Sequence, residues 1–127
     1  MPRPTPTYWS ELDTLLPGRY RTRTRLTDCY VLQVAGQKSG HRHRAALYCL
    51  LLTGGMRRVW SRRFWLSNSL DEKTAKILAL EILERELADR VTKYGRPFAG
   101  QGDLEESVKD LLAEIRAASG APAAETA

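Results

Sequence analysis

The sequence lacks the features that would mark a disulfide-rich or membrane-spanning protein. Its 127 residues include two cysteines, Cys29 and Cys49, which are too few for a disulfide scaffold. The longest apolar run, Ala45 to Leu52, has eight residues, whereas a membrane-spanning helix needs about 20. The N-terminus has no apolar stretch of the kind found in a secretory signal. These absences predict a soluble, cytoplasmic chain with no membrane partner.

Acidic residues are almost missing from the middle of the chain. Residues 19–66 carry eleven arginines and lysines against the single acid Asp28, although the whole chain has a net charge of only +5. Such a segment repels itself unless its charges spread over a surface or meet an anion, and polyphosphate backbones are abundant anions in cytoplasm. The alternative is a solubilising surface in a chain whose cations are mostly arginine.

Alternating residues in this basic segment predict an antiparallel sheet of three to four strands. The third strand is apolar on both faces, which is typical of the middle of a sheet. Gly54 and Gly55 predict a hairpin turn between the last two strands. The predicted strands cover residues 19–26, 29–35, 44–53 and 56–67.

Helical spacing of apolar residues predicts three helices outside the sheet. A short helix fits residues 10–16, and a long one fits 70–94 after a capping box formed by Ser69 and Glu72. A third fits 104–118, capped by Asp103. We expect this last helix to dock on its own domain or on a partner, which could be a second copy of the chain.

Together these elements predict one α+β domain over residues 10–98, in which the sheet of residues 19–66 packs against the long helix. The flanking segments are expected to be an extended N-terminal arm at 1–9, a C-terminal helical segment at 99–120 and a disordered tail at 121–127.

The first strand carries a row of arginines that could follow a nucleic-acid backbone. Alternation places Arg19, Arg21, Arg23 and Arg25 on one face, with neighbours about 6.6–6.8 Å apart. Guanidinium groups bind phosphate oxygens in a bidentate manner. The same charges would also protect an edge strand from aggregation, and alternation alone does not separate the two explanations.

The last strand sets cations beside indoles. Strict alternation puts Arg58, Trp60 and Arg62 on one face, and Arg57 and Arg63 on the other. Arginine reads guanine edges in the major groove, and aromatic rings can lie against bases. Alternatively, Trp60 belongs to the core while the arginines reach solvent. The candidate nucleic-acid-binding residues are Arg21, Arg23, Arg25, Arg42, Arg44, Arg57, Arg58, Trp60, Arg62 and Arg63.

No residue pattern predicts a metal site, a cofactor or a catalytic centre. The spacing of Cys29, His41, His43 and Cys49 matches no usual zinc finger or knuckle. We expect both cysteines to be core residues and both histidines to extend the cationic surface. The chain has no glycine-rich phosphate loop and no nucleophile elbow, and a metal-dependent nuclease would need more carboxylates than Asp28 near the sheet. The sequence therefore predicts a non-catalytic protein.

The run Arg58-Val59-Trp60, with Phe64 four positions on, resembles the last strand of DNA-binding domains of the ethylene-response-factor type and of the arm-binding domains of phage integrases. A helix follows from Leu70 in the same order. The resemblance implies a three-stranded sheet that lies in the major groove, with Arg58 and Trp60 in contact with DNA. The order of elements from residue 10 to 94 is also similar to that of double-stranded-RNA-binding domains.

From the sequence we expect a non-catalytic nucleic-acid-binding protein, with duplex DNA favoured over RNA, that uses an arginine-rich sheet face. The alternative is a protein-interaction module of phage or mobile-element origin whose basic sheet binds an acidic groove on a host protein. Both require the same cationic surface, so the sequence does not decide between them.

Overall fold

The structure is a computed structural model that describes residues 18–37, 41–66 and 72–118. The predicted N-terminal arm, the helix over 10–16 and the tail over 121–127 lie outside these residues, as does Ser69 of the predicted capping box. The chain forms two compact units, Met1–Ala75 and Lys76–Ala127. Its strands and helices confirm the predicted α+β class.

The first unit contains a four-stranded antiparallel meander in which each strand pairs with the next along the chain. The interior strands β2 and β3 are therefore paired on both sides, whereas β1 and β4 form the edges. The third strand begins two residues earlier than predicted, and residues 51–55 form the loop that follows it. The strands are β1 (Arg19–Arg25), β2 (Tyr30–Gln37), β3 (Arg42–Leu50) and β4 (Met56–Trp65).

One face of this sheet, called the core face here, is buried. Its buried members come from all four strands and are apolar or aromatic apart from one histidine: Tyr20, Tyr30, Leu32, Val34, His43, Ala45, Leu47 and Trp60. Burial raises the pKa of the Tyr30 hydroxyl above its usual value, and the nearby Cys49 and Cys29 thiols add to this shift. Successive side chains of a strand point to opposite sides, so the register also fixes which side chains lie on the other side, where Val31 and Ala46 are buried as well.

A glycine allows two side chains of the core face to meet across an intervening strand. Gly36 on β2 pairs with Tyr20 on one side and with His43 on the other. Since Gly36 has no side chain, the Tyr20 hydroxyl and His43 Nδ1 form a hydrogen bond 2.8 Å long. The His43 ring also stacks against Phe64, with ring centroids 5.5 Å apart. His43 is therefore part of the core, and the expectation that it extends the cationic surface is wrong.

We expect the Gly36→Ala substitution to destabilise the protein by about 1–3 kcal/mol. A Cβ atom at this position would lie 2.4 Å from His43 Nδ1 and 2.9 Å from the Arg42 carbonyl oxygen, and the backbone oxygen cannot easily move. Urea denaturation measures the free energy of unfolding. Gly55→Ala is the matched control, because its Cβ would meet nothing nearer than Leu51 Cδ1 at 4.0 Å. Equal stability of the two variants would contradict the close approach at Gly36.

The second unit is an antiparallel pair of helices. Helix α1 (Glu72–Asp89) continues as a π-helical turn over Arg90–Tyr94, and helix α2 (Gln101–Ala118) returns alongside it. An ion pair joins Arg116 near the end of α2 to Glu81 of α1. The buried side chains that the two helices contribute within this unit include Ala79, Leu80, Leu83 and Leu87 of α1 and Leu104, Val108 and Leu112 of α2.

The π-helical turn explains where the predicted apolar stripe of the long helix ends. Val91 and Tyr94 are apolar residues at the end of the predicted helix over 70–94, yet they are 54% and 56% exposed. A π-helix closes its hydrogen bonds over five residues rather than four, so residues beyond Arg90 rotate away from the buried side. Gly95 then ends the turn in the left-handed conformation, with φ of 63°.

Gln101 fixes the joint between the two helices. Its buried amide donates from Nε2 to the Leu87 carbonyl oxygen at 2.6 Å, and its Oε1 accepts from the Phe98 amide at 2.8 Å. Arg90 packs over the Phe98 ring at 3.8 Å and pairs with Glu86 at 3.0 Å. These contacts begin α2 at Gln101, three residues before its predicted start.

Candidate nucleic-acid interface

The strand register brings arginines from three strands to the side of the sheet opposite the core face. Cross-strand partners share a face of the sheet. The arginines of β1 pair with residues of β2, and the register continues from these residues through β3 to β4 on the same side. We call this side the arginine face. Its arginines are Arg19, Arg21, Arg23, Arg25, Arg42, Arg44, Arg58 and Arg63.

A bulge in β4 decides which arginines of the last strand belong to this face. Leu47 pairs with Trp60 but Tyr48 pairs with Arg58, so Val59 is an extra residue in β4. Because of the extra residue, the side chains of β4 that precede Val59 lie on the opposite faces from those that strict alternation predicts. Arg58 therefore joins Arg63 on the arginine face, whereas Arg57 pairs with Cys49 on the core side.

Besides Arg57, the predicted contact residues Trp60 and Arg62 lie on the core side of the sheet. Trp60 is 8% exposed and pairs with the fully buried Leu47, which favours its assignment to the core. Arg62 pairs with Ala45 and lies over the Trp60 ring, 5.9 Å from its centroid. The structure thus separates Arg57, Trp60 and Arg62 from the other seven predicted residues, which all lie on the arginine face.

The positions of Arg42 and Arg44 distinguish between the two explanations of the arginine rows. Protection against aggregation concerns edge strands, and it explains charges on β1 and β4. β3 lies inside the sheet, where the ladder is already paired on both sides, so arginines there protect no edge. A surface that binds an anion accounts for the edge and interior arginines together.

The arginine face is concave. A groove of about 800 Å³ opens on it. Small and neutral side chains of β2, among them Gln33 and Ala35, line the groove between arginines of β1 and those of β3 and β4. The lining arginines are Arg19, Arg21, Arg23, Arg42, Arg44 and Arg63.

Local hydrogen bonds hold some of these guanidinium groups in place. Arg23 Nε donates to Gln33 Oε1 across the strand pair at 2.8 Å. Arg25 donates from Nε and Nη2 to the carbonyl oxygens of Thr27 and Asp28, at 3.2 and 3.1 Å. A guanidinium group has five N–H donors, so Arg25 keeps donors beyond these two bonds. Partly fixed groups lose less conformational entropy when they bind a ligand.

The face carries strongly unbalanced charge. Among residues 18–37 and 41–66, which contain the four strands, the only acid is Asp28, in the turn after β1. Arg44 pairs directly with Arg63, and like charges at directly opposed positions destabilise a sheet. The potential over the groove is therefore positive and attracts anions.

One exposed aromatic residue on this face is not among the ten predicted binding residues. Trp65 pairs with Arg42 and is 61% exposed. His41, which is also exposed, stacks on its indole with ring centroids 5.1 Å apart and an angle of 17° between the planes. Trp65 is two positions after Arg63 in the strand, and this spacing alone indicates that the two side chains lie on the same face.

In the described part of the chain, no group of three or more His, Cys, Asp or Glu side chains could hold a metal ion. Cys49 is half-buried, whereas Cys29 is exposed, so the prediction that Cys29 is a core residue is wrong. No helix among the described residues is long and apolar enough to cross a membrane. Comparisons with protein-family models, curated proteins and solved structures find no match to this chain.

We expect the Arg63→Glu substitution to stabilise the free protein by about 0.2–1 kcal/mol, because it replaces the repulsion with Arg44 by a cross-strand attraction. Urea denaturation at low ionic strength measures the effect, and added salt should reduce it. Arg62→Glu is the control: it makes the same charge change on the same strand, but it removes the cation from Trp60 and should give no gain. A loss of stability in the Arg63 variant would contradict the repulsion.

Proposed function

We propose that this protein is a non-catalytic nucleic-acid-binding protein whose arginine face binds the phosphate backbone. The observation that carries the proposal is the convergence of eight arginines from β1, β3 and β4 on one side of the sheet. Guanidinium groups match phosphate oxygens in geometry and charge. When they neutralise phosphates, counterions are released from the nucleic acid, and this release favours binding.

Two further observations support a polyanion over a single small anion. The row on β1 runs from Arg19 to Arg25, which is about 20 Å of strand. Arginines also line both sides of the groove, so a ligand must carry many negative charges to neutralise the face. A nucleic-acid backbone has this regular charge along its length. Gln33 and Gln37 add neutral hydrogen-bonding groups along the same groove.

A comparison of two double variants, one on each side of the sheet, tests the proposal. Arg44→Glu with Arg63→Glu changes the arginine face, and Arg57→Glu with Arg62→Glu makes the same charge change on the opposite side of the sheet. We expect the first pair to lower nucleic-acid affinity at least tenfold more than the second at about 50 mM salt. Since each lost phosphate contact removes about 0.7–0.9 from the slope of log affinity against log salt, the first pair should flatten that slope by about 1.4–1.8.

Fluorescence anisotropy with labelled duplex DNA, single-stranded DNA and RNA over a salt series gives both quantities. These probes also test the predicted preference for duplex DNA. Equal losses in the two double variants would contradict binding by the arginine face. Failure of the wild-type protein to bind any probe at low salt would overturn the proposal and favour the acidic protein partner.

A further inference from the structure

An open indole lies at one end of the arginine face. Trp65 is the last residue of β4, two positions after Arg63 and directly opposite Arg42. Its exposure of 61% leaves most of a large aromatic surface in contact with water. Trp60, on the same strand, is 8% exposed. The contrast shows that β4 has a buried position for one indole and leaves the other on the charged side.

The surroundings of Trp65 hold its ring in place. His41 stacks on it nearly in parallel, at 17° between the ring planes. The imidazole is fixed in turn, because His41 Nδ1 donates to the Leu66 carbonyl oxygen at 2.8 Å. The backbone of Leu66 also donates to the His41 carbonyl oxygen at 2.9 Å. An aromatic ring supported in this way loses little freedom when a flat ligand stacks on it.

We propose that an unpaired base stacks on Trp65 while the neighbouring arginines hold its phosphates. This inference rests on the proposed function, and it specifies the ligand as single-stranded nucleic acid or a single-stranded segment. Bases inside a duplex are covered above and below by their neighbours and show only their edges in the grooves. The face of an indole can therefore meet only a base that has left the stack or lies at its end.

The groove lies next to the indole, because Arg42, the cross-strand partner of Trp65, lines it. Arginines of β1 line one side of the groove and arginines of β3 and β4 the other. The phosphates of a strand whose base stacks on Trp65 would therefore lie near these arginines. Single-strand-binding proteins combine a basic groove and stacking rings in this manner.

The test compares Trp65→Leu, which keeps apolar bulk, with Trp65→Tyr, which keeps an aromatic ring. The probes are a single-stranded DNA of mixed sequence, a closed circular duplex, which has no terminal base to stack, and an RNA of the same sequence as the single strand. One base on an aromatic ring contributes about 1–3 kcal/mol, which is about 5- to 150-fold in affinity. We expect Trp65→Leu to lose this factor for both single strands, Trp65→Tyr to keep most of it, and duplex affinity to change less than twofold.

A second measurement needs no variant. A DNA strand of the same length that has abasic sugars keeps its phosphates but offers nothing to stack. We expect the wild-type protein to bind this strand about 5- to 150-fold more weakly than the complete strand. The result decides the question even if Trp65→Leu fails to fold. Leu52→Ala, at the fully exposed tip of the β3–β4 loop, is the control for a general loss of apolar surface.

The possible outcomes separate this inference from the proposed function. Equal binding of the abasic and complete strands, or an equal effect of Trp65→Leu on single strands and duplex, would overturn the stacking of a base and leave phosphate binding intact. The absence of binding to every probe would overturn both. Loss of affinity in Trp65→Leu for RNA and single-stranded DNA alike would support stacking, because both offer the same faces of the bases and only RNA has the 2′-hydroxyl.

Discussion

Repulsion among like charges is the constraint on which the organisation of the sheet depends. Eight guanidinium groups lie on one side of four strands, and Asp28 is the only acid among residues 18–37 and 41–66, which contain those strands. The charges can share a face only because the other face buries enough apolar surface to hold the strands together. Tyr20, Leu32, Leu47 and Trp60 supply part of that surface. The face that stabilises the sheet and the face that carries the charge are thus separated by the alternation of the strands.

This separation depends on two local departures from regular structure. Gly36 lets Tyr20 and His43 bond across β2, which keeps a polar pair satisfied within the core face. The bulge at Val59 turns Arg58 outward to the arginine face and keeps Trp60 inward. Without the extra residue, Arg58 would fall on the core side and Arg57 would take its place. The first departure joins side chains within the core face, and the second sets which arginines of β4 lie on the arginine face.

The sequence predicted much of this fold because its strongest signals are local. Alternation in β1, the turn at Gly54 and Gly55 and the long helical stripe each depend on residues close together in the chain. The bulge depends on how β4 pairs with β3, and one sequence contains no record of that register. For this reason alternation alone places Arg57 with Arg63 and Arg58 with Trp60, whereas the structure places Arg58 with Arg63 on the arginine face. Likewise, the hydrogen bond that places His43 in the core joins it to Tyr20, 23 positions away, and local sequence patterns do not reveal a contact at that separation.

The assignment of the arginine face is tested most directly by observing each guanidinium group. Nuclear magnetic resonance resolves the Nε–Hε signals of arginine side chains, and single substitutions assign them. When a single-stranded oligonucleotide is added at low salt, we expect the signals of Arg21, Arg44 and Arg63 to shift together and to saturate at the same ratio of strand to protein. Those of Arg57 and Arg62 should remain in place. Shifts of equal size on both sides of the sheet, or confined to Arg57 and Arg62, would contradict binding by the arginine face.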